Sequence, residues 1–302
     1  MKILLTGSSG FIGSDLKIAL EKQGVEVIPF DLKDNPANDT RDFANVKEKI
    51  QGADGVIHLA AVSRVKLAYE NPLECIKTNI GGTINVLEAL RLASLAQGKR
   101  PWVIFASSRE VFGESRPLPA TEETPRHPMN VYGIAKIAGE DLCKIFSKDY
   151  GLKTRVLRFS NVYTSANDQL DRVIPKFILR AAKNEDITVN GTGQEIFDFT
   201  YIHDTVQGIL GCFKEIQESE QIYNDFILAT GRPTSLKELA EIVIKTVVST
   251  SKIKYSEGRS YDVSKFYADS SKAKQLLGFN PTMTLENGIK AVVKEFKEKG
   301  VI

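Results

Sequence analysis

A glycine-spaced turn between a short apolar strand and a helical stretch constrains this chain more than any other feature. Residues 2–6 read as a buried β-strand, and Thr6-Gly7-Ser8-Ser9-Gly10-Phe11-Ile12-Gly13 leads from it into a helical pattern near 12–23. Glycine lets the chain bend sharply after a strand and lets its backbone approach a pyrophosphate, which then sits where the free N–H groups of the helix start point. The spacing is Gly-x-x-Gly-x-x-Gly, not the commoner Gly-x-Gly-x-x-Gly, so it needs context to carry weight. Further apolar runs at 26–30, 55–60, 101–106 and 155–158 alternate with helical stretches near 45–51, 72–97 and 130–150. That alternation predicts βαβ units around a parallel sheet covered on both faces, a doubly wound α/β fold of the Rossmann type.

Past residue 160 the rhythm changes. Helices are expected at 175–183, from 205 onward, at 235–248 and at 285–297, with short strands at 187–189 and 197–202. This predicts a Rossmann domain made of 1–162 and 196–221, and a smaller mixed α/β substrate lobe made of 163–195 and 222–302. No Pro/Gly/Ser-rich linker separates them, so the two are expected to share a cleft. The chain has 302 residues, 42% hydrophobic and 26% charged, as in soluble globular proteins. Its net charge of +2 gives no reason to expect nucleic acid as a partner. Cys75, Cys143 and Cys212 read as reduced core thiols, and no Cys/His spacing suggests a metal. A strand starting at Lys2 leaves no room for a signal peptide and no apolar run is long enough to span a membrane, so a cytoplasmic protein is expected.

Two groups of residues point to hydride-transfer chemistry. Tyr132 and Lys136, four apart on a helix, project from one face, and an ammonium beside a phenol favours the phenolate, so the tyrosine is expected to act as a base nearer neutrality. Ser107 and Ser108 follow a mid-chain strand, where ligands of doubly wound sheets bind, and a hydroxyl there would orient a substrate alcohol. Asp31 ends the second strand, 18 residues after Gly13. A carboxylate there accepts ribose hydroxyls and repels a 2′-phosphate, which favours NAD over NADP.

These motifs resemble the extended short-chain dehydrogenase/reductases, specifically the NAD-dependent epimerase/dehydratase family that acts on nucleotide sugars. The likeness extends to Asp39-Thr40-Arg41-Asp42, His58-Leu59-Ala60-Ala61, Asn79 with Gly82-Thr83, 107–113, 158–163, 191–204, Arg259 with Asp262, Ala268-Asp269 and Leu277-Gly278. It implies that Gly7, Gly10, Phe11, Ile12, Gly13, Asp31, Asp39, Thr40, Leu59, Ala60 and Ala61 line the cofactor. It implies catalysis by Ser108, Tyr132 and Lys136, with Tyr132 and Lys136 also touching NAD. Ser108, Arg109, Glu110, Tyr132, Asn161 and Arg259 would face the substrate, expected to be a UDP-sugar. His58 and His203 fall in segments the family uses structurally. A homodimer is implied as well, pairing the helix after Pro72 with the Tyr132 helix, and Ile84, Val86, Leu87, Ile137 and Leu142 could serve either that interface or the core.

Three departures from the family pattern matter. Phe197 stands where members usually carry an Arg that binds the diphosphate, which throws weight onto Arg259 or another cation such as Arg180. Thr164-Ser165 replaces the usual Gly-Pro. Arg109 precedes Glu110 where 4,6-dehydratases have two carboxyls, and Arg109 stays protonated. The chemistry that remains is C4 epimerisation through a 4-keto sugar, with Tyr132 as base. The alternatives are a 4-dehydrogenase or 4-ketoreductase, a 4,6-dehydratase and, more remotely, a non-catalytic NAD-binding regulator. Arg64 or Arg109 could meet a substrate carboxylate or phosphate.

Overall fold

The computed structural model of the chain describes residues 1–98, 101–114, 116–164 and 169–302. Its first half follows the apolar runs closely: β1 (Lys2–Thr6), α1 (Gly13–Lys22), β2 (Glu26–Phe30), α2 (Phe43–Ile50) and β3 (Gly55–His58) come in that order. The helical stretch expected at 72–97 is helical throughout, and a short helix that was not expected precedes it. Pro72 opens a new first turn, where its missing N–H is no loss, so α3 (Val65–Glu70) gives way to α4 (Pro72–Ile76). A π turn at Lys77–Gly81 then leads into α5 (Gly82–Gln97). Next come β4 (Trp102–Ser108), a 3₁₀ turn at Arg109–Val111, α6 (Val131–Tyr150), β5 (Lys153–Phe159) and β6 (Asn161–Tyr163). The second half contains α7 (Val173–Ala182), β7 (Ile187–Asn190), β8 (Ile196–Tyr201), α8 (Ile202–Glu218), β9 (Tyr223–Leu228) and β10 (Pro233–Ser235). It closes with α9 (Leu236–Val247), β11 (Ile253–Ser256), α10 (Ser271–Leu277) and α11 (Leu285–Glu298).

Six parallel strands form one sheet in the order β2-β1-β3-β4-β5-β9. The order reverses around β1, whose neighbours are β2 on one side and β3 on the other. One face is covered by α1, α8 and α10 through Leu16, Leu20, Ile209 and Ala273. The other is covered by α2, α5 and α6 through Val46, Leu90, Cys143 and Phe146. Because both faces are covered, residues of both parities along these strands are apolar, as in β4, where all seven residues are buried.

The remaining strands build a lobe of two small sheets, β10-β8-β6 and β11-β7, packed with α7, α9 and α11 around Phe177, Val189, Leu239 and Phe296. Segments cross the expected domain boundary in both directions, among them 271–277, expected in the substrate lobe, which form α10 against the parallel sheet. Residues 223–228, expected in the substrate lobe, form β9 at the edge of the parallel sheet, and 196–201, expected in the Rossmann domain, pair with β6 and β10. All five apolar residues that could serve a dimer face sit in or against the core: Val86 and Leu87 are buried, and Ile84, Leu142 and Ile137 pack on buried clusters.

Candidate active site

The loops leaving β1 and β3 meet at the point where the strand order reverses. Gly7 has φ +72°, in the left-handed region, and a Cβ on it would stand 2.8 Å from the Ala60 nitrogen. A Cβ on Gly13 would stand 1.9 Å from the Gly7 oxygen, so α1 can begin this close to the turn only behind a glycine. Gly10 donates its N–H to Gly7 O at 3.0 Å, and Phe11 and Ile12 lean on the core beneath. Asp31, just past β2, accepts from Ser9 N (3.1 Å) and Lys33 N (2.9 Å), which leaves carboxylate lone pairs for a ribose. Asp39 is bound by the Arg41 guanidinium (2.6 Å), whose hydrogen bond holds that carboxyl below its usual range. Thr40 is buried, in reach of the α5 start at Gly82.

His58 ties this hollow together. Thr83 donates its hydroxyl to Asn79 O (2.6 Å), so it must accept from His58 Nε2 (3.1 Å). His58 Nδ1 therefore accepts from the Thr6 hydroxyl (2.7 Å), and Thr6 Oγ1 in turn accepts Ala60 N–H (3.2 Å). The chain of bonds assigns the tautomer and pins Ala60 beside the glycine turn. Burial, helped by the Lys136 charge, lowers His58 to about 3. His203 is exposed on α8. The glycine-lined hollow, the helix start and the carboxylate beyond β2 suit NAD, in the arrangement that dinucleotides require.

The strand β4 and the helix α6 bring the second group together. Asn130 caps α6, its Oδ1 accepting Gly133 N–H at 2.8 Å, and sets the helix so that Tyr132 and Lys136 face the end of β4. Tyr132 and Ser108 are both buried, and Ser108 lies near enough to the phenol to ease its ionisation. Lys136 donates Nζ to Ala106 O at 2.7 Å and lies 5.7 Å from the Tyr132 ring centroid. The expected lowering of the phenol is not seen. Burial pushes the Tyr132 phenol up, Ser108 offsets part of this, and Glu110 adds to it. Burial also lowers Lys136 to about 8, against the pull of Cys75 and Glu140. Desolvation outweighs the pair's attraction because the ammonium is directed at the Ala106 carbonyl.

Ser107 and Ser108 separate, because successive strand residues point to opposite faces. Ser107 donates to Glu140 Oε1 (2.5 Å), so its hydroxyl belongs to a buried ion cluster and not to the nicotinamide side. In that cluster Glu140 binds Arg158 (2.8 Å), which also reaches Asp225 (2.9 Å), and Arg126 approaches from the surface (3.3 Å).

Among the residues expected to face the substrate, Arg109 begins the turn after β4 and joins three elements. Its Nη2 pairs with Glu110 Oε1 (2.7 Å), and its Nε donates to Asn161 Oδ1 on β6 (2.5 Å). Glu110 Oε2 accepts from Asn130 Nδ2 (2.9 Å). Arg259 is paired with Asp262 (2.6 Å) and lies over Tyr261, whose carbonyl accepts from Asn130 Nδ2 (3.2 Å). Arg180 pairs with Glu185 and Arg64 with Asp171. Thr164 is buried, and Ser165 lies outside the described residues.

The residues missed from the sequence are Asn130 and the Glu140–Arg158 cluster. Asn130 carried a readable signal, since an Asn before an apolar helical run is a common cap. Nothing local marked Glu140, whose partners come from β4, β5 and the loop before α6. Among the described residues no cluster of His, Cys, Asp and Glu could hold a metal, and no helix is long and apolar enough to cross a membrane. All three cysteines are buried free thiols.

Residues 3–224 match the NAD dependent epimerase/dehydratase family. An uncharacterised UDP-glucose epimerase of Bacillus subtilis (strain 168) is 30% identical, the alignment covering 96% of each chain. UDP-glucuronic acid decarboxylase 1 of Danio rerio is 29% identical over 99% of this chain and 73% of its own. Among solved structures, a UDP-glucose 4-epimerase of Thermotoga maritima with UDP-glucose superposes with a TM-score of 0.89, at 30% identity over 99% of both chains. With that match over most of its length, on a parallel sheet whose switch point carries a glycine turn, the chain belongs to the NAD-dependent epimerase/dehydratase family, among nucleotide-sugar epimerases and decarboxylases.

Proposed function

We propose that the protein is an NAD-dependent C4 epimerase of a UDP-sugar. The observation that carries this reading is the meeting of two buried hydroxyl residues, Ser108 at the carboxyl end of β4 and Tyr132 on α6, with Lys136 one helical turn on. NAD held by the Gly7–Gly13 turn and Asp31 would supply reversible hydride transfer at the sugar. Tyr132 removes the proton from the C4 hydroxyl, and Ser108 holds that oxygen as it becomes a carbonyl and again an alcohol. The phenolate has to form in a desolvated site, so its stabilisation falls to Ser108 and to the Lys136 charge. For the C4 epimer to form, the 4-keto sugar would present its opposite face and Tyr132 would give the proton back to the C4 oxygen.

The 4,6-dehydratase alternative needs carboxyls free to move protons. Glu110 has one oxygen paired with Arg109 and the other accepting from Asn130, which favours a structural role for it. A net oxidoreductase would need exchangeable cofactor. For the partner and the location we propose a homodimer in the cytoplasm. Leu73 on α4 and Ile134 and Ile145 on α6 are exposed, and with the half-buried Ile84, Ile137 and Leu142 they offer such a dimer an apolar face.

The deciding experiment is proton NMR of the purified protein with UDP-, GDP-, CDP- and dTDP-sugars, without added cofactor. A new anomeric signal from a C4 epimer is expected with a UDP-sugar. Turnover only after NAD⁺ or NADH is supplied would replace the reading with the oxidoreductase, and a 6-deoxy-4-keto product with the dehydratase.

A further inference from the structure

The turn after Ser108 fixes a guanidinium at the seam between the two lobes. Arg109 leaves the carboxyl end of β4, where ligands of a parallel sheet bind. Its guanidinium carbon lies 5.0 Å from the Phe197 ring centroid on β8 and 5.7 Å from that of Phe266. Nε is committed to Asn161 and Nη2 to Glu110, so the plane of the group is set from three sides. Glu110 cannot swing away, because its other oxygen accepts from the helix-capping Asn130.

One donor is left over. Arg109 Nη1 is buried and has no hydrogen-bond partner among the described residues. A buried, charged donor without an acceptor is costly, and native proteins rarely keep one without a use. Phe197, against which the guanidinium lies, carries a ring and no charge. Arg259, Arg180 and Arg64 are paired with Asp262, Glu185 and Asp171 respectively.

Resting on the nucleotide-sugar reading, we infer that Arg109 is the substrate-anchoring cation of this site: Nη1 binds an anionic oxygen of the substrate, and Glu110 and Asn161 are its positioning residues. The planar fork of a guanidinium suits an oxyanion. That oxygen belongs either to the diphosphate or to a carboxylate on the sugar.

The test is calorimetric titration of the full-length, NAD⁺-saturated protein with UDP, UDP-glucose and UDP-glucuronate. Arg109→Gln should weaken at least one ligand by about tenfold or more, the scale of a charge-assisted hydrogen bond. Loss on all three assigns the oxyanion to the diphosphate, and loss confined to UDP-glucuronate assigns it to the carboxylate. Arg109→Gln combined with Glu110→Gln should show the same loss, which separates the effect from an unpaired Glu110. Adding Phe197→Arg to Arg109→Gln should recover affinity, since a cation from β8 reaches the same space, and a purely structural Arg109 predicts no such rescue. Wild-type affinity for all three ligands in both Arg109 variants would overturn the inference. A wild-type protein that bound none of the three would overturn the nucleotide-sugar reading itself, before any variant was made.

Discussion

At the scale of single residues, burial dominates the chemistry. Tyr132 and Lys136 are each desolvated enough that neither charges as readily as in water. Tyr132→Phe removes the only atom proposed to take the sugar proton and little else, so kcat should fall by about 10²–10⁴ while NAD⁺ affinity stays within a few-fold. Full turnover in that variant would remove Tyr132 from the mechanism. His58 gives a second prediction, on stability. Its folded-state value of about 3 lies below the ordinary value of 6.5, so the unfolded chain binds the extra proton between those limits. The contribution is intact above pH 6.5 and is lost as pH falls toward 3. Between pH 6.5 and 5, above most carboxylate titrations, about 1.5 kcal/mol should disappear. Urea unfolding midpoints that stayed level across that window would contradict the assignment of a neutral, doubly bonded His58.

Elements were legible in the sequence where burial was two-sided and partners were close in the chain. β1 and β2 ran from the first to the last residue expected, because continuous apolar runs bounded by turns have few other readings. β9 was not legible. Its Tyr-Asn-Asp opening looks like a loop, yet Asp225 is paired with Arg158 of the neighbouring strand and with Lys272, contacts invisible in one dimension. β6 and β10 are three residues each and exist through pairing with β8. In the candidate site, the Tyr132–Lys136 spacing and the glycine turn could be read directly. The separation of Ser107 from Ser108, and the leftover donor of Arg109, depend on which neighbours fold against them. The glycine turn is where an element-level test is sharpest. Gly13→Ala forces a Cβ against the Gly7 oxygen, 1.9 Å away, and backbone must move to relieve it. A stability loss of about 1–3 kcal/mol is expected, with NAD⁺ affinity reduced at least about tenfold by calorimetry. An unchanged affinity would mean that the cofactor does not rest on this turn.

For the molecule as a whole, the two lobes are woven together, not strung in series. The chain passes from the parallel sheet to the small sheets between β5 and β6, returns from β8 through α8 to β9, and leaves again between β9 and β10. Arg109 adds a side-chain tie, from the end of β4 to Asn161 on β6 and Phe197 on β8. Neither lobe can lose its packing without pulling strands from the other, so the chain should unfold as one unit. Trp102, the single tryptophan, sits in β4 against Phe213 and reports only on the parallel sheet, whereas far-ultraviolet circular dichroism sees both lobes. The two probes should give coincident thermal transitions. NAD⁺ at about a hundred times its Kd should then raise both by the same amount, about 4 °C for a chain of this length. If the tryptophan transition alone moved, the lobes would be independent folding units, and the cleft between them would have to be assembled by the ligand instead of being built into the fold.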